Sequence, residues 1–331
     1  MYEKIKVSVP KSIYELLNKD AEDFRILKPN GKPNLNAFIN SLIMNFYEDF
    51  SADDQELIDK INKALFGVPE KYAKTAFDGI IKAISSREKG GLDGEKSVAI
   101  SFKPTKVSES VVVHIENVLL KNESLSSYYR RMFIAYAKKT KTEREKIIHK
   151  QNYELLCRAI KKEVQVCLSL ESGDVFNEMS LYSITPAKDE LFNYVLYYGD
   201  LKNKTVRLSK IKTVSLLAKK SEIPSKNAEM FARQVRFGAQ YPIYSTDDQP
   251  IKVQLTEKGK DLFKRIYLYR PIPTEIDGDV YTFECSANQV IYYFERFGSE
   301  ALILSPKRIG KFMRNYYYFA LKKYRSIYGR D

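Results

Sequence analysis

One arginine lies in the middle of a predicted strand, where it could bind an anion. The segment Phe192 to Ile211, FNYVLYYGDLKNKTVRLSKI, has two runs of β-branched and aromatic residues around Gly199-Asp200, which predicts a β-hairpin. Alternation along the second strand puts Arg207 on one face and Lys210 on the other. A guanidinium and an ammonium on one hairpin suit a phosphate-bearing ligand.

A structural role for these side chains is the alternative. Arg207 could form an ion pair inside the fold with Glu178 or Asp200, and Tyr194 could be a ring of the hydrophobic core. Both interpretations remain open from the sequence.

The hairpin resembles the centre of the WYL domain, an Sm-like small β-barrel. Asn193-Tyr194-Val195 occupies the position of the family's tripeptide, and the strand VRLSKI, 206–211, occupies that of its arginine-bearing strand. The chain contains no tryptophan, so the first residue of that tripeptide is changed. A helix ending near 160, a strand over 164–170 and a proline-bearing strand at 181–186 extend the resemblance over 151–222. The resemblance implies a ligand-binding surface made of five residues: Tyr182, Ser183, Tyr194, Arg207 and Lys210.

The N-terminal segment 1–50 predicts a strand, a helix, a loop and a second helix. Lys4 to Val9 alternates polar and apolar residues, and Pro10 closes the run. This order resembles a ribbon-helix-helix unit, in which two strands pair and place outward residues in a DNA groove. The resemblance implies that Lys4, Lys6 and Ser8 contact nucleic acid. Alternatively, these residues keep an edge strand soluble.

The same pattern returns in the segment 96–150. A helical connector and a Gly-rich linker are predicted for 51–95, before the alternating strand 97–102 and two further helices. The two strands could pair within one chain or across a homodimer. Arg130 and Arg131, interleaved with tyrosines, suit a nucleic-acid backbone and stacked bases. Their alternative is an ordinary solvated helix face.

The last segment, 223–331, predicts a small α+β arrangement that resembles the C-terminal extension of WYL proteins. In that family the extension takes part in dimer contacts, so the resemblance implies a homodimer. Arg233 and Arg236 lie three residues apart before Gly238, so they can share a helix face. We count them among the additional candidate contacts to nucleic acid.

Catalytic residues are sparse. Arg144 and His149 satisfy the R-x4-H spacing, which resembles the motif of HEPN-type ribonucleases. That family uses two facing motifs, and the sequence has one. No spacing typical of a metal site or a nucleotide-binding loop occurs. We therefore predict a protein that is not an enzyme and needs no metal or cofactor.

The charge of the chain favours anionic partners. Its 331 residues carry a net charge of +13, and the windows 101–150, 201–250 and 301–331 hold the excess of lysine and arginine. Such a balance favours nucleic acid. Three cysteines without a CxxC pair indicate a reducing cytoplasm. No window approaches the roughly twenty apolar residues that a membrane span requires.

Together these patterns predict an α+β protein with a ribbon-helix-helix-like front, a WYL domain and a small extension. The combination resembles the WYL-domain accessory proteins of type VI-D CRISPR systems. That resemblance implies binding of single-stranded RNA, with DNA as a further ligand, and stimulation of the RNA-guided RNase of the system. The alternative is a DNA-binding transcriptional regulator that senses a ligand through the WYL pocket.

Overall fold

The computed structural model describes residues 3–69, 71–73, 75–77, 79–80, 96–120, 124–244 and 249–329. They belong to two compact units, Met1–Lys150 and Gln151–Asp331. The finer division into five segments stays a prediction. The predicted glycine-rich linker at 90–94 lies outside the described residues.

A two-stranded antiparallel ribbon opens the first unit. Strand β1 (Ile5–Pro10) pairs with β2 (Ser97–Phe102), with Lys6 opposite Ser101 and Val7 opposite Ile100. Val7 and Ile100 are buried, whereas Lys6 and Ser101 are exposed, as the period-two alternation requires. The two similar strands therefore pair within one chain, and the homodimeric ribbon is not what is observed.

Residues 71–73, 75–77 and 79–80 of this unit are helical, and five further helices have defined bounds. They are α1 (Lys11–Asp23), α2 (Leu35–Ala64), α3 (Glu109–His114), α4 (Leu125–Lys138) and α5 (Lys141–Ile148). A π-helical turn, Ile115–Leu119, extends α3. Asn34 and Ser124 cap α2 and α4 by accepting hydrogen bonds from the main-chain N–H groups of the first turns.

Two predicted helix boundaries were wrong. The sequence predicts a new helix capped by Ser51 or Asp53, but α2 continues to Ala64 and the Ser51 hydroxyl donates to the carbonyl of Tyr47, 2.6 Å away, a bond that a serine can make inside a helix. The sequence also predicts a capping box that starts at Thr142, but the capping box of α5 begins two residues earlier, at Thr140. Its main-chain N–H donates to Glu143, 2.7 Å away.

The core of the first unit is aromatic. The tyrosines that the sequence analysis associated with base stacking, Tyr128, Tyr129 and Tyr136, are at most 2% exposed. Tyr128 packs edge-on against Phe50, with 5.2 Å between ring centres, and Tyr129 against Phe102 at 5.5 Å. These rings are core residues because α4 lies beneath the ribbon, so their predicted role in stacking was wrong.

The second unit begins with a helix and a five-stranded antiparallel sheet. The elements are α6 (Lys150–Lys162), β3 (Val164–Leu170), β4 (Val175–Pro186), β5 (Asn193–Gly199), β6 (Lys202–Arg207) and β7 (Ile211–Lys220). The strand order is β6-β5-β4-β3-β7. The long strand β4 pairs with β3 through its first half and with β5 through its second half. No closed barrel is seen in the described residues, and the Sm-like assignment stays a prediction.

The predicted hairpin is confirmed as β5 and β6. Asp200 and Leu201 both have positive φ, 50° and 60°, as a two-residue type I′ turn requires. The second strand is shorter than predicted, because a 3-10 turn, Leu208–Lys210, follows Arg207 and leads to β7. Alternation therefore stops at Arg207, and Leu208 and Ser209 are both buried.

A second sheet and four helices follow. The elements are α7 (Ser225–Phe237), β8 (Ile251–Leu255), α8 (Glu257–Arg265), β9 (Glu275–Asp277), β10 (Val280–Phe283), α9 (Ala287–Phe294), a 3-10 segment (Glu295–Glu300), β11 (Ala301–Ser305) and α10 (Lys307–Tyr328). The sheet order is β11-β8-β10-β9. A Cβ on Gly310 would lie 2.9 Å from the carbonyl oxygen of Ile303, so this glycine allows α10 to pack closely on β11. The predicted α+β class is confirmed. Among the described helices, none has the length and apolar character needed to cross a bilayer.

Candidate nucleic-acid interface

Arg207 is held by a carboxylate and an aromatic ring. Its Nη2 lies 3.1 Å from Oε2 of Glu190, and the centre of its guanidinium lies 3.7 Å from the centre of the Phe192 ring. The side chain is 19% exposed, and its Nε is buried without a hydrogen-bond partner. Glu190 thus neutralises the charge of Arg207 within the fold, and the face of the Phe192 ring also attracts the cation.

Glu190 lies in the turn between β4 and β5 and accepts several hydrogen bonds. The Tyr194 hydroxyl donates to Oε2, and the Tyr269 hydroxyl donates to Oε1 at 2.9 Å. Burial raises the pKa of this carboxyl, but the bonds from both tyrosines and the charge of Arg207 outweigh burial and lower it. The pKa of Tyr194 is raised, chiefly by burial and by its bond to Glu190.

The structural alternative for Arg207 named different partners. Glu178 instead pairs with Lys219 at 2.6 Å, and Asp200 pairs with Lys204. The carboxylate that receives Arg207 is therefore Glu190, and the two predicted partners were wrong. Direct binding of a ligand by Arg207 stays a prediction.

The other predicted WYL-site residues make different contacts. A bulge in β4 between Leu181 and Ser183 re-aims Tyr182, whose ring stacks on Phe231 with 4.9 Å between centres. The Ser183 hydroxyl contacts that of Thr185 at 3.1 Å. Lys210 is exposed on the 3-10 turn. Of the five residues, these contacts join only Tyr194 and Arg207.

A pocket of about 170 Å³ opens beside the β4–β5 turn. Its wall includes three cationic side chains, from the turn, from α7 and from the loop after α8: Lys188, Arg236 and Arg270. All three are exposed. Residues 237–239 line the same wall, together with Gln240, whose buried Oε1 has no hydrogen-bond partner. The pocket is smaller than drug-sized sites, so it suits a phosphate or a single base.

Asp189 adds a carboxylate to this pocket. Burial, reinforced by the nearby charge of Glu190, raises its pKa, although the main-chain N–H of Tyr269 and the charge of Arg270 act against that shift. Three cations and one carboxylate can bind an anion that also carries a hydrogen-bond donor, as a nucleotide does.

The sequence predicts only some of the residues that line this pocket. Arg236 was a candidate, whereas Lys188 and Arg270 were not, because they lie in turns with no periodic pattern. Lys188 and Asp189 closely follow the proline that ends β4, and this position is the sequence feature that could have indicated their role. Arg233, the other arginine predicted on α7, donates to the carbonyl of Glu284 at 2.7 Å, so it connects α7 to the segment after β10.

Lys4, just before β1, and Lys6 within it are exposed. Exposure agrees both with contact to nucleic acid and with the alternative that these residues keep an edge strand soluble, so the contact stays a prediction. Ser8 is half-buried and bonds to the hydroxyl of Ser97. Arg130 donates from Nε to the carbonyl of Ser8, and Arg131 pairs with Asp54 at 2.6 Å. Both arginines thus have structural partners, and their predicted contacts to nucleic acid remain predictions.

The R-x4-H residues are also engaged in the first unit. Arg144 Nε lies 2.6 Å from Oδ2 of Asp20, a carboxylate that also accepts from the Tyr136 hydroxyl at 2.9 Å. His149 Nε2 donates to the carbonyl of Phe24 at 3.0 Å, and burial lowers its pKa to about 4 despite that bond. Both side chains therefore make structural contacts inside this unit.

These features define a mixed α+β protein with several antiparallel sheets and a cationic pocket in its second unit. The fold is similar to that of a solved structure described as a CRISPR Cas-related protein, at 20% identity and a TM-score of 0.66, over 99% of this chain and 95% of that one. Proteasome accessory factor B/C of Arthrobacter aurescens is a second match, at 17% identity and a TM-score of 0.23, over 71% of this chain and 38% of that one. No family model matches the chain. No curated protein matches it either.

Proposed function

We propose that this protein binds single-stranded RNA as a regulatory accessory of a CRISPR system. The cationic pocket beside the β4–β5 turn is the observation that carries the proposal. It offers guanidinium and ammonium donors for phosphate, and a carboxylate and an amide that can hydrogen-bond a base. The net charge of +13 supplies long-range attraction for a polyanion.

The finer proposal is that the RNA-bound protein stimulates the RNA-guided RNase of a type VI-D system. It rests on the resemblance of the ribbon, the WYL-like hairpin and the C-terminal extension to the accessory proteins of such systems. The similarity to a CRISPR Cas-related protein supports the fold on which this proposal builds. We further expect a homodimer, which light scattering of the purified chain would test.

Titration of a fluorescent single-stranded RNA at several salt concentrations tests the binding proposal. Affinity should fall steeply with salt, since each neutralised phosphate releases counterions. Affinity that stays flat from low to high salt contradicts the proposal. Adding the protein to a type VI-D effector with its guide should raise the rate of RNA cleavage, and an unchanged rate contradicts the stimulation.

A DNA-binding regulator is the second candidate, and the ribbon favours it. Lys6 lies opposite Ser101 on the outward face of a paired, antiparallel ribbon, the geometry with which β-ribbon proteins enter a DNA groove. Tighter binding of a duplex with two-fold symmetry than of single-stranded RNA, abolished by Lys4→Ala with Lys6→Ala, would select this candidate. Unchanged duplex binding by that double variant would remove it.

A further inference from the structure

The last helix, α10, is strongly basic and mostly exposed. Between Lys307 and Tyr328 it contains seven lysines and arginines and no carboxylate. Only Ile309 and Met313 are buried, and the half-buried Tyr317 donates to the carbonyl of Glu295 at 3.0 Å. Most of the surface of α10 is therefore available to a partner.

Two rings lie between two cations along one line of this helix. The line contains residues at spacings of four and three, which lie above one another on an α-helix: Arg308, Phe312, Asn315, Phe319 and Lys322. Phe312 is 54% exposed and Phe319 is 61% exposed. Two exposed phenylalanines between cations need an explanation, because an exposed ring contributes no stability by burial in the hydrophobic core.

A groove of about 720 Å³ runs beside the start of this line. Helix α9 contributes Asn288 and Tyr292, and α10 contributes Arg308, Phe312 and Asn315. Tyr292 is 54% exposed. The groove thus combines flat rings, amides that can donate and accept, and a guanidinium. These residues belong to the two helices, and Tyr244 adds a ring from a loop.

We infer that this groove and the line of residues along α10 form a second binding site, which holds a short stretch of single-stranded nucleic acid. Bases would stack on Phe312, Phe319 and Tyr292, and phosphates would contact Arg308 and Lys322. The inference rests on the proposed binding of single-stranded RNA and adds a surface distinct from the pocket beside the β4–β5 turn. Rings for stacking together with cations for phosphate are the chemistry of sequence-tolerant single-strand sites.

The dimensions agree with such a ligand. From Arg308 to Lys322 the helix rises about 21 Å, at 1.5 Å per residue. That length accommodates about four nucleotides, which is at the short end of known single-strand sites.

Other occupants fit the line less well. A helix that lies in a membrane interface separates an apolar face from a charged face, whereas here an amide separates the two rings and cations flank them. A second copy of α10 against the same line would oppose cations of the same sign, which disfavours association, so the homodimer that we expect would use other surfaces of the extension. A polyanion with flat bases satisfies both features of the line.

Matched variants on the same helix test the inference. The ring variant is Phe312→Ala with Phe319→Ala, and its control is Tyr324→Ala, which removes a ring that is 63% exposed on the opposite face of the helix. The charge variant is Arg308→Gln with Lys322→Gln, and its control is Lys307→Gln with Arg325→Gln, which removes equal charge elsewhere. All of these side chains are exposed, so the variants should fold. The measurement is the affinity for an RNA of about ten nucleotides at fixed salt, by fluorescence anisotropy.

The ring variant should bind at least about tenfold more weakly, because each base–ring stack contributes about 1–3 kcal/mol. The charge variant should also lose more affinity than its control. Crosslinking of thiouridine-labelled RNA should label the peptide that contains Phe312.

Three results would overturn the inference. If the wild-type protein binds RNA and each variant matches its control, the site is absent although the proposed function stands. If the wild-type protein binds no RNA at low salt, the proposed function itself fails. If the variants lose binding to anionic phospholipid vesicles but keep RNA affinity, the surface binds membranes instead.

Discussion

Arg207, at the end of β6, forms an ion pair with Glu190, in the turn that joins β4 to β5, with 3.1 Å between Nη2 and Oε2. The guanidinium also stacks on Phe192, 3.7 Å from the ring centre. Glu190 therefore already compensates the positive charge of Arg207 in the absence of a ligand. This pair fixes one side of the turn, while Lys188 and Asp189 on the same turn line the cationic pocket. The binding residues and the bracing residues are thus neighbours in sequence.

Removing Arg207 should destabilise the protein. In Arg207→Ala the half-buried Glu190 loses its charged partner, and the free energy of unfolding should fall by about 2–3 kcal/mol, near the lower limit for breaking a buried pair. Urea unfolding of the full chain measures the change. Lys219→Ala is the matched control, because its pair with Glu178 is 57% and 59% exposed, and its loss should cost under about 0.5 kcal/mol.

Arg207→Ala, Glu190→Gln and the double variant form a cycle that isolates the pair. A coupling energy near zero would show that the two residues do not stabilise each other. RNA affinity of the same variants, measured at a temperature where they are folded, separates a bracing role of Arg207 from ligand binding.

Glu190 should also make stability depend on acid pH. Its pKa is lowered because hydrogen bonds from Tyr194 and Tyr269 and the charge of Arg207 outweigh burial. A carboxyl with a depressed pKa contributes stability that is present above its unfolded pKa of about 4.3 and is lost as pH falls through the folded value. The advantage of wild type over Glu190→Gln should therefore shrink below about pH 4. An advantage that is constant from neutral to acid pH would contradict this prediction.

His149 predicts a second pH dependence, in a different window. Its pKa falls from 6.5 to about 4 through burial, so the unfolded chain binds a proton between these values and the folded chain does not. Stability should decline as pH falls from 6.5 to about 4 and should show no further contribution from His149 below that range. In His149→Gln, whose amide can still donate to Phe24, this decline should disappear. The comparison is made by urea unfolding at several pH values, and equal slopes for both proteins would show that His149 has no effect.

Local patterns in the sequence predicted many elements well. The apolar stripe after Pro10 predicts a helix over 11–23, which is α1, and Asn34 is a predicted cap that marks the start of α2. The strands predicted over 164–170 and 251–255 are observed as β3 and β8. Short-range effects, such as helix capping, alternation and the effect of proline, determine these elements. A single sequence is enough to recognise such effects.

Contacts between distant residues were harder to predict. Glu190 reaches Arg207 because β5 lies between β4 and β6 and pairs Tyr194 with Arg207. The bulge in the pairing of β4 with β5 was not evident from the sequence. The 3-10 turn after Arg207 likewise depends on the strand with which β7 pairs. The sequence associates Tyr128 with base stacking because its neighbours Arg130 and Arg131 are basic, yet these arginines bond to Ser8 and Asp54 inside the fold. The pocket escaped prediction for the same reason, since three separate segments build it.

Asp20 should be essential for the stability of the first unit. It is 1% exposed and accepts from Arg144 and Tyr136. Asp20→Asn leaves a buried guanidinium without its countercharge and should cost about 3–5 kcal/mol of unfolding free energy. Tyr136→Phe removes one hydrogen bond and should cost about 1 kcal/mol. Equal losses for the two variants in urea unfolding would show that the ion pair contributes little beyond that bond.

The cationic pocket should control RNA affinity without affecting stability. Lys188→Gln with Arg236→Gln removes two exposed cations from its wall and should lower the slope of log affinity against log salt by about one for each phosphate that the pocket no longer neutralises. Lys264→Gln with Arg265→Gln removes equal charge from the exposed end of α8 and serves as the control. If both double variants change the slope equally, RNA responds to net charge alone and the pocket is not its site. A larger change for the pocket variant, with an unaltered midpoint of unfolding, is the result expected of a binding site.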